Sequence, residues 1–238
     1  MKTTKQKAME LIVQDILDQT IEPNQKFIIN ELSQRYQIGL SPIREATQEL
    51  ASIGFIHYQP NVGTYVNPLT KLELEALMDY LAYHFQRQCY NHQNGHQKIS
   101  EEKSVRLLFH FIKLSQELNQ SNEQLPSLTI IEDNFIAILL LLHDSSAPKI
   151  MDTFFNAVIL NLRRYIHHFF LQQPAQCALL FPTNELDIIA RSITENDVSN
   201  YGELMATFLE RMTVTLLTVL PSDHREHTEV CINSNIMA

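Results

Sequence analysis

The stretch that decides the fold is FIINELSQRYQIGLSPIREATQELASIGFIHYQPNVGTYVN, which runs from Phe27 to Asn67. Its first part, residues 28 to 36, predicts a short helix with Leu32 turned inward and Arg35 turned to solvent. The second helix carries one buried stripe, whose members recur at spacings of three and four residues: Ile43, Ala46, Leu50 and Ile53. Two short amphipathic helices therefore open this stretch.

Ser41 and Pro42 mark the predicted start of the second helix. A serine hydroxyl accepts a hydrogen bond from an otherwise unpaired amide, and proline suits the first helical position because its φ is already helical. Gly54 is a typical C-terminal cap. The face opposite the buried stripe then carries Ser41, Arg44 and Gln48, which are able to reach base edges or phosphates in a major groove.

Two strand-forming runs follow, residues 55 to 59 and 64 to 67, on either side of a Pro-Asn-Val-Gly turn at residues 60 to 63. Aromatic and β-branched runs around such a turn predict a hairpin. Two helices followed by a hairpin are typical of a winged helix-turn-helix. The alternative is a small α+β cap whose Arg44 merely faces solvent.

The sequence LSPIREATQELASIGFIHYQPNVGTYV resembles the signature of GntR-family bacterial transcription regulators, and the resemblance covers roughly residues 6 to 68. The matching positions are Pro42, Arg44, Glu45, Ala46, Leu50, Gly54, Pro60, Asn61, Gly63 and Val66. The resemblance and the predicted helix face together give a set of expected DNA contacts: Arg35, Ser41, Arg44, Gln48, Asn61, Gly63 and Thr64.

The chain departs from this signature at positions that usually contact DNA. The family's serine and arginine before the recognition helix are Gly39 and Leu40 here, and the usual wing arginine is Val62. These departures remove two common DNA-contacting cations. Arg44 therefore becomes the principal cation that we expect at the DNA.

Length and charge divide the chain. With 238 residues and 45% apolar content, we expect a DNA-binding domain at 1–68, a helical domain at 69–221 and a polar tail at 222–238. Residues 1–68 hold six Lys or Arg and seven Asp or Glu, a net charge of −1, so the rest of the chain carries −8 of the total −9. An acidic second domain would repel DNA, and we expect binding that weakens strongly with salt.

A supporting helix is predicted before the helix-turn-helix. Its apolar positions follow helical spacing: Met9, Ile12, Val13, Ile16 and Leu17. Residues 1–7 carry three lysines and no acid. They form either a mobile arm that contacts phosphates or a solvated tail.

Several classes of protein are disfavoured by composition. The longest apolar run spans residues 135 to 142, whereas a membrane span needs about 20 residues, and no secretory signal opens the chain, so we expect a soluble cytoplasmic protein. The three cysteines form no C-x-x-C pair, which argues against a disulfide framework or a cysteine zinc site. With five glycines and no glycine-rich catalytic motif, an enzyme is not expected.

Beyond Pro68 nearly every segment has helical periodicity, which predicts an all-helical bundle from residues 70–92, 99–119, 128–143, 147–172, 183–195 and 197–220. A winged domain followed by six or seven helices resembles the FadR-like (FCD) subgroup of the GntR family. The resemblance implies a homodimer on a palindromic operator and a bundle that binds a small effector, commonly an organic acid. Many members also hold a divalent metal through an aspartate and three histidines.

The positions of that metal site lack the family's ligands. Depending on the alignment they fall on residues that supply no imidazole: Glu132 and Ile136 or Phe135 and Leu139, then Leu186 or Asn184, and Phe208. Apolar replacements leave an ion without partners, so we predict no metal and no cofactor. A different histidine site would need convergence of His84, His110, His143 and His167.

Arg163 and Arg164 lie in the segment 147–172. An arginine that faces into a bundle needs an anion, which is either a neighbouring acid such as Glu132 or the carboxylate of a ligand. We expect a partly apolar organic acid in a pocket formed with Leu81, Phe85, Ile136 and Phe208. The expected function is a transcriptional repressor that senses this acid; the alternative is a DNA-binding or adaptor protein of the same fold without a ligand switch.

Overall fold

A computed structural model describes residues 2–59, 62–95, 99–119, 125–143, 147–194 and 200–221. Within these residues the chain is mainly helical, with a small sheet in its first quarter and a helical domain after it. The predicted fold class is thus confirmed. The polar tail predicted at 222–238 lies outside the described residues.

The N-terminal domain contains three helices and a three-stranded sheet. In chain order the elements are α1 (Thr4–Leu17), β1 (Lys26–Phe27), α2 (Ile29–Tyr36), α3 (Leu40–Ser52), β2 (Ile56–Gln59) and β3 (Gly63–Val66). The sheet order is β1-β3-β2, and both pairings are antiparallel. The helix-turn-helix and the hairpin are as predicted, whereas β1 is additional.

Helix α1 begins at Thr4, within the segment expected to be a mobile arm or a solvated tail. The Thr3 side chain accepts a hydrogen bond from the Gln6 amide, and the Gln6 side chain accepts one from the Thr3 amide, which together form a capping box. Lys5 and Lys7 therefore lie on the helix. Lys5 forms an ion pair with Glu49 of α3. The arm expected at residues 1–7 is replaced by helix from Thr4.

Helix α3 starts two residues earlier than predicted. Gly39 occupies the cap position with an extended backbone, and the Ser41 hydroxyl donates to Glu45 at 3.1 Å instead of capping. Pro42 is tolerated within the first turn because the first four amides of a helix have no partner inside it. At the other end, Gly54 has a φ of 73°, and the Gly54 and Phe55 amides donate to the carbonyls of Ala51 and Leu50. This Schellman motif confirms Gly54 as the C-terminal cap.

Packing explains why these helices are stable. The predicted stripe of α3 is buried, with Ile43, Ala46 and Leu50 at 0% exposure, and Ile53 is partly buried beside them. It packs against the apolar face of α1, to which Ile12 and Leu17 belong. Burial of these side chains leaves the opposite face of α3 in solvent.

The second domain is a helical bundle. Its helices are α4 (Lys71–Gln93), α5 (Glu101–Leu118), α6 (Leu128–Leu142), α7 (Lys149–Gln172), α8 (Cys177–Leu180), α9 (Thr183–Thr194) and α10 (Tyr201–Leu217). The six predicted segments correspond to helices, and α8 with the 3-10 turn Pro174–Gln176 is an addition. Among the described residues, none of the helices combines the length and apolar character needed to cross a membrane.

Helix α7 joins the bundle to the N-terminal domain. The Asn161 side-chain amide donates to the carbonyl of Ile53, the last residue of α3's stripe, at 2.8 Å. The Arg164 guanidinium donates to the carbonyls of Asn67 and Pro68, which follow the wing, and the Pro68 distance is 3.2 Å. The two domains are therefore connected by side-chain hydrogen bonds from one helix as well as by the chain itself.

Helices α4 and α10 pack closely at Gly202. A Cβ placed on Gly202 would lie 2.6 Å from Cys89 Cβ and 3.0 Å from Gln86 Cα, which is shorter than a van der Waals contact. The backbone of α10 thus needs glycine at this position. The Cys89 thiol beneath it is buried, and burial raises its pKa.

We expect Gly202→Ala to lower the free energy of unfolding by about 1–3 kcal/mol, because the added methyl group forces the two helices apart. This loss should occur although alanine is intrinsically better than glycine in a helix. Urea unfolding followed by circular dichroism measures it. Thr207→Ala, five residues later on the exposed side of α10, is the control and should change stability by no more than about 0.5 kcal/mol. Equal stability of both variants would show that the helices are not so close.

Candidate nucleic-acid interface

The exposed face of α3 carries the side chains expected to reach DNA. Leu40, Arg44 and Gln48 are exposed and lie four residues apart, so they share one face of the helix. Arg44 forms no ion pair or hydrogen bond with any residue that the structure describes. Its guanidinium is thus available to an external acceptor. Ser41 is exposed beside it, although its hydroxyl is bound to Glu45.

A groove of about 400 Å³ lies between α3 and the sheet. Apolar and polar side chains of both elements line it: Ile29, Arg44, Thr47, Gln48, Ala51, Ile56, Tyr58 and Thr64. Thr64 has 6% exposure, so its side chain forms part of the lining and is largely covered. Tyr58 has 65% exposure and projects from β2. Alternation along the predicted hairpin would have placed Tyr58 beside the recognition helix, but the sequence analysis did not select it.

The wing has a cation that the sequence did not reveal. Gly63 has a φ of 146°, and a Cβ at this position would meet Lys26 Cε at 2.5 Å, so the Lys26 side chain lies across the wing. Val62, which stands where the family has arginine, has 49% exposure. Asn61 lies outside the described residues. Lys26 therefore supplies a positive charge close to the position from which arginine is missing.

Arg35 is exposed but bound within the domain. Its Nη1 atom lies 3.0 Å from Asp15 Oδ2, and its Nη2 atom donates to Asp15 Oδ1 at 3.3 Å. The Tyr36 hydroxyl donates to the same carboxylate at 2.5 Å, and burial together with this bond raises the pKa of Tyr36. A DNA phosphate would have to compete with Asp15 for Arg35. The contact between Arg35 and DNA remains a prediction, and it would require Arg35 to give up its ion pair with Asp15.

In the bundle, Arg163 binds the neighbouring acid Glu132. Its Nε and Nη2 atoms donate to the two oxygens of Glu132 at 2.9 and 3.0 Å, and His167 Nε2 lies 2.9 Å from the same carboxylate. Burial acts to raise the pKa of Glu132, but the hydrogen bonds from His167 and Arg163 outweigh it and lower that pKa. The sequence left open whether Arg163 would bind a neighbouring acid or the carboxylate of a ligand, and in the structure it binds Glu132.

Apart from Arg164, the remaining residues of the expected effector pocket lie in or against the packed core of the bundle. Leu81 and Phe85 have 0% exposure and Phe208 has 1%, and all three belong to the packed core. The Phe208 ring centroid lies 5.9 Å from that of Phe135. Ile136 is partly buried against the same core. Arg164 instead faces the N-terminal domain, where it donates to the carbonyls of Asn67 and Pro68.

Of the four histidines considered for a metal site, His84 and His143 contact each other. His143 Nδ1 lies 3.0 Å from His84 Nε2, and His143 Nε2 lies 2.9 Å from Asp152 Oδ1. His110 instead contacts Asn134, and His167 contacts Glu132 as described above. Within the described part of the chain, we find no group of three or more His, Cys, Asp or Glu arranged to hold a metal ion.

Comparisons with known proteins bear first on the N-terminal domain. Its helix-turn-helix, its wing and an exposed arginine without a partner among the described residues are features of a winged helix-turn-helix domain. The family described as bacterial regulatory proteins, gntR family, matches residues 4–66, which include α1 to β3. The match covers 63 of the 238 residues, all of them in the N-terminal domain. No curated protein sequence matches the chain.

Solved structures share the fold over both domains. McbR/YncC of E. coli is similar with a TM-score of 0.73 and 13% identity over 92% of this chain and 99% of that one. A GntR transcriptional regulator from Rhodococcus sp. RHA1 has a TM-score of 0.69 and 14% identity, with 92% and 100% covered. Lar, which controls the expression of the Listeria monocytogenes agr system, has a TM-score of 0.59 and 13% identity, with 92% and 99% covered. At these identities the likeness extends to the fold alone.

Glu132→Gln should lower the free energy of unfolding by about 3 kcal/mol at neutral pH, because it leaves Arg163 and His167 without their anion. The folded-state pKa of Glu132 is lowered, so its stabilising contribution is present above the ordinary value of 4.5 and is lost as the pH falls through the lower folded value. The difference between variant and wild type should therefore shrink in acid. Urea unfolding at a series of pH values measures it.

The matched control is Glu185→Gln. Glu185 receives Arg211 Nε at 2.8 Å, but both side chains are about a third exposed, at 32% and 30%. Loss of this more exposed pair should cost no more than about 1 kcal/mol. Similar losses for the two variants at every pH would contradict the assignment of Glu132 as a buried anion.

Proposed function

We propose that the protein is a repressor of the FadR-like (FCD) subgroup that acts in the cytoplasm as a homodimer on a palindromic operator. The observation that carries this proposal is the open face of α3, where Arg44 has no partner among the described residues. Of the other five cations in residues 1–68, three are occupied: Lys2 pairs with Glu10, and Lys5 and Arg35 pair with acids as described above. An unpaired arginine on a recognition helix is suited to bidentate hydrogen bonds with a guanine.

Each copy would place the first turns of α3 in a major groove. The first amides of α3, which have no partner inside the helix, favour a phosphate. The Lys26 side chain lies next to Gly63 of the wing, from where it would contact the DNA backbone beside the groove. Two such domains related by a twofold axis would read half-sites about 34 Å apart, one helical turn of DNA. The acidic character of the rest of the chain disfavours its approach to DNA, which leaves the winged tip as the contact.

Control by a ligand would pass through α7. Asn161 and Arg164 hold the C-terminal end of α3 and the segment after the wing, while Arg163 on the same helix binds Glu132 inside the bundle. An organic acid that replaced Glu132 at Arg163 would change the packing of α7. Since α7 contacts α3, the relative position of two recognition helices in a dimer would change with it.

A second candidate, the same regulator without a ligand switch, is supported by a specific observation. Arg163 is already neutralised by Glu132, and Leu81, Phe85 and Phe208 are buried in the packed core of the bundle. A constitutive DNA-binding protein needs no more than this arrangement. An adaptor that has lost DNA affinity is less well supported, because Arg44 remains exposed and unpaired among the described residues.

Selection from a random duplex pool tests DNA binding. We expect a palindrome to be enriched, and Arg44→Ala to weaken binding to it by about 1–3 kcal/mol because a bidentate base contact is lost. Arg106→Ala is the control, since Arg106 is an exposed arginine of the bundle, and it should bind like wild type. Unchanged binding by Arg44→Ala would show that the recognition face is wrongly placed, and retention on no duplex at low salt would refute DNA binding.

Thermal unfolding with a panel of acyl and dicarboxylate compounds tests the effector. A ligand at 100 times its Kd should stabilise the protein by about 2.7 kcal/mol, and Arg163→Ala should abolish this stabilisation because the carboxylate partner is removed. Arg164→Ala should keep it, since Arg164 faces the N-terminal domain. Absence of stabilisation by every acid would favour the regulator without a switch.

A further inference from the structure

We propose that Leu40 reads the C5-methyl group of a thymine in each half-site of the operator. This inference rests on the DNA-binding function proposed above and assigns one specificity-determining residue to it. It concerns an apolar side chain at a position where the family resemblance leads one to expect a cation.

The position of Leu40 in α3 carries the first part of the argument. Leu40 is the first residue of α3, directly after the cap Gly39. The N-terminal residues of a recognition helix are those that contact base edges in the major groove. Leu40 also precedes Arg44 by four residues and Gln48 by eight, so the three side chains form one row along the exposed face.

The exposure of Leu40 carries the second part. Its side chain has 41% exposure, and it does not belong to the buried cluster of the N-terminal domain. A large apolar side chain left in water gains free energy when a partner covers it. Arg44 beside it carries an unpaired positive charge, which suits an anionic partner. Duplex DNA combines an anionic backbone with apolar methyl groups in the major groove, so it satisfies both side chains.

The chemistry of the groove identifies the base. Leucine offers no hydrogen bond, and in the major groove the thymine C5-methyl group is the feature that an apolar side chain recognises. Arg44 is suited to guanine O6 and N7, and Gln48 to adenine N6 and N7. Four residues of helix rise about 6 Å, close to two base-pair steps of about 3.4 Å. The thymine is therefore expected about two base pairs from the guanine that Arg44 contacts.

Replacement of single thymines by deoxyuridine tests this contact, because it removes the methyl group and leaves base pairing intact. The full chain is titrated against the selected palindrome and against duplexes in which one thymine position per half-site is replaced. For wild type we expect about fourfold weaker binding per contacted methyl at one position and little change elsewhere. Leu40→Ala should bind the thymine and deoxyuridine duplexes equally.

Leu108→Ala is the matched control, since Leu108 is a leucine of 40% exposure on α5 of the bundle. It should keep the full preference for thymine. If a duplex is bound but no position distinguishes thymine from deoxyuridine, or if Leu40→Ala keeps the preference, the inference is wrong while the proposed function stands. If no duplex is retained even at low salt, the proposed function itself fails. Loss of self-association in Leu40→Ala with base preference unchanged would assign Leu40 to a protein contact and also refute the inference.

Discussion

The arrangement of the two domains depends on the burial of one charge, the guanidinium of Arg164. Its side chain has 2% exposure, and burial lowers its pKa, although arginine remains protonated in proteins. A buried charge is tolerable where every donor finds an acceptor. Here the acceptors include the carbonyls of Asn67 and Pro68, with Glu73 Oε2 at 3.7 Å, and the cation lies 5.3 Å from the centre of the Phe55 ring. Any movement that separated α7 from the segment after the wing would leave this charge unsatisfied, so the two elements are expected to move together.

The neighbour of Arg164 on the same helix has the opposite role. Consecutive residues of a helix point about 100° apart, so Arg163 faces Glu132 in the bundle while Arg164 faces the N-terminal domain. The same alternation recurs one turn later, where His167 contacts Glu132 and His168 contacts Gln19 at the end of α1. Helix α7 therefore has one polar edge inside the bundle and another against the DNA-binding domain. This double contact is the physical route by which a change at Glu132 can reach α3.

Much of the fold follows from periodicity, because burial of an apolar face every three or four residues is a local property of the sequence. The predicted stripes of α1 and α3 are examples, and so is the cap at Gly54. Strand β1 was not predictable in this way, since two residues carry no alternation. The position of Lys26 over Gly63 is a contact between distant parts of the chain, and Ser41 failed as a cap because helical geometry begins at Leu40. The lining of the expected effector pocket was taken from the family resemblance. A resemblance could not reveal that large side chains such as Phe85 and Phe208 pack in the core of the bundle.

The pairing of charges also changes what the composition implies about salt. Residues 1–68 contain six cations, but Lys2, Lys5 and Arg35 are bound to acids of the same domain. Each phosphate neutralised contributes a slope of about −0.9 to the dependence of log K on log salt, and a cation already neutralised by a neighbour contributes less. With fewer free cations, the salt dependence is shallower than the number of lysines and arginines suggests. Discrimination between sequences must then come from side chains that touch bases, which gives the first two turns of α3 their importance.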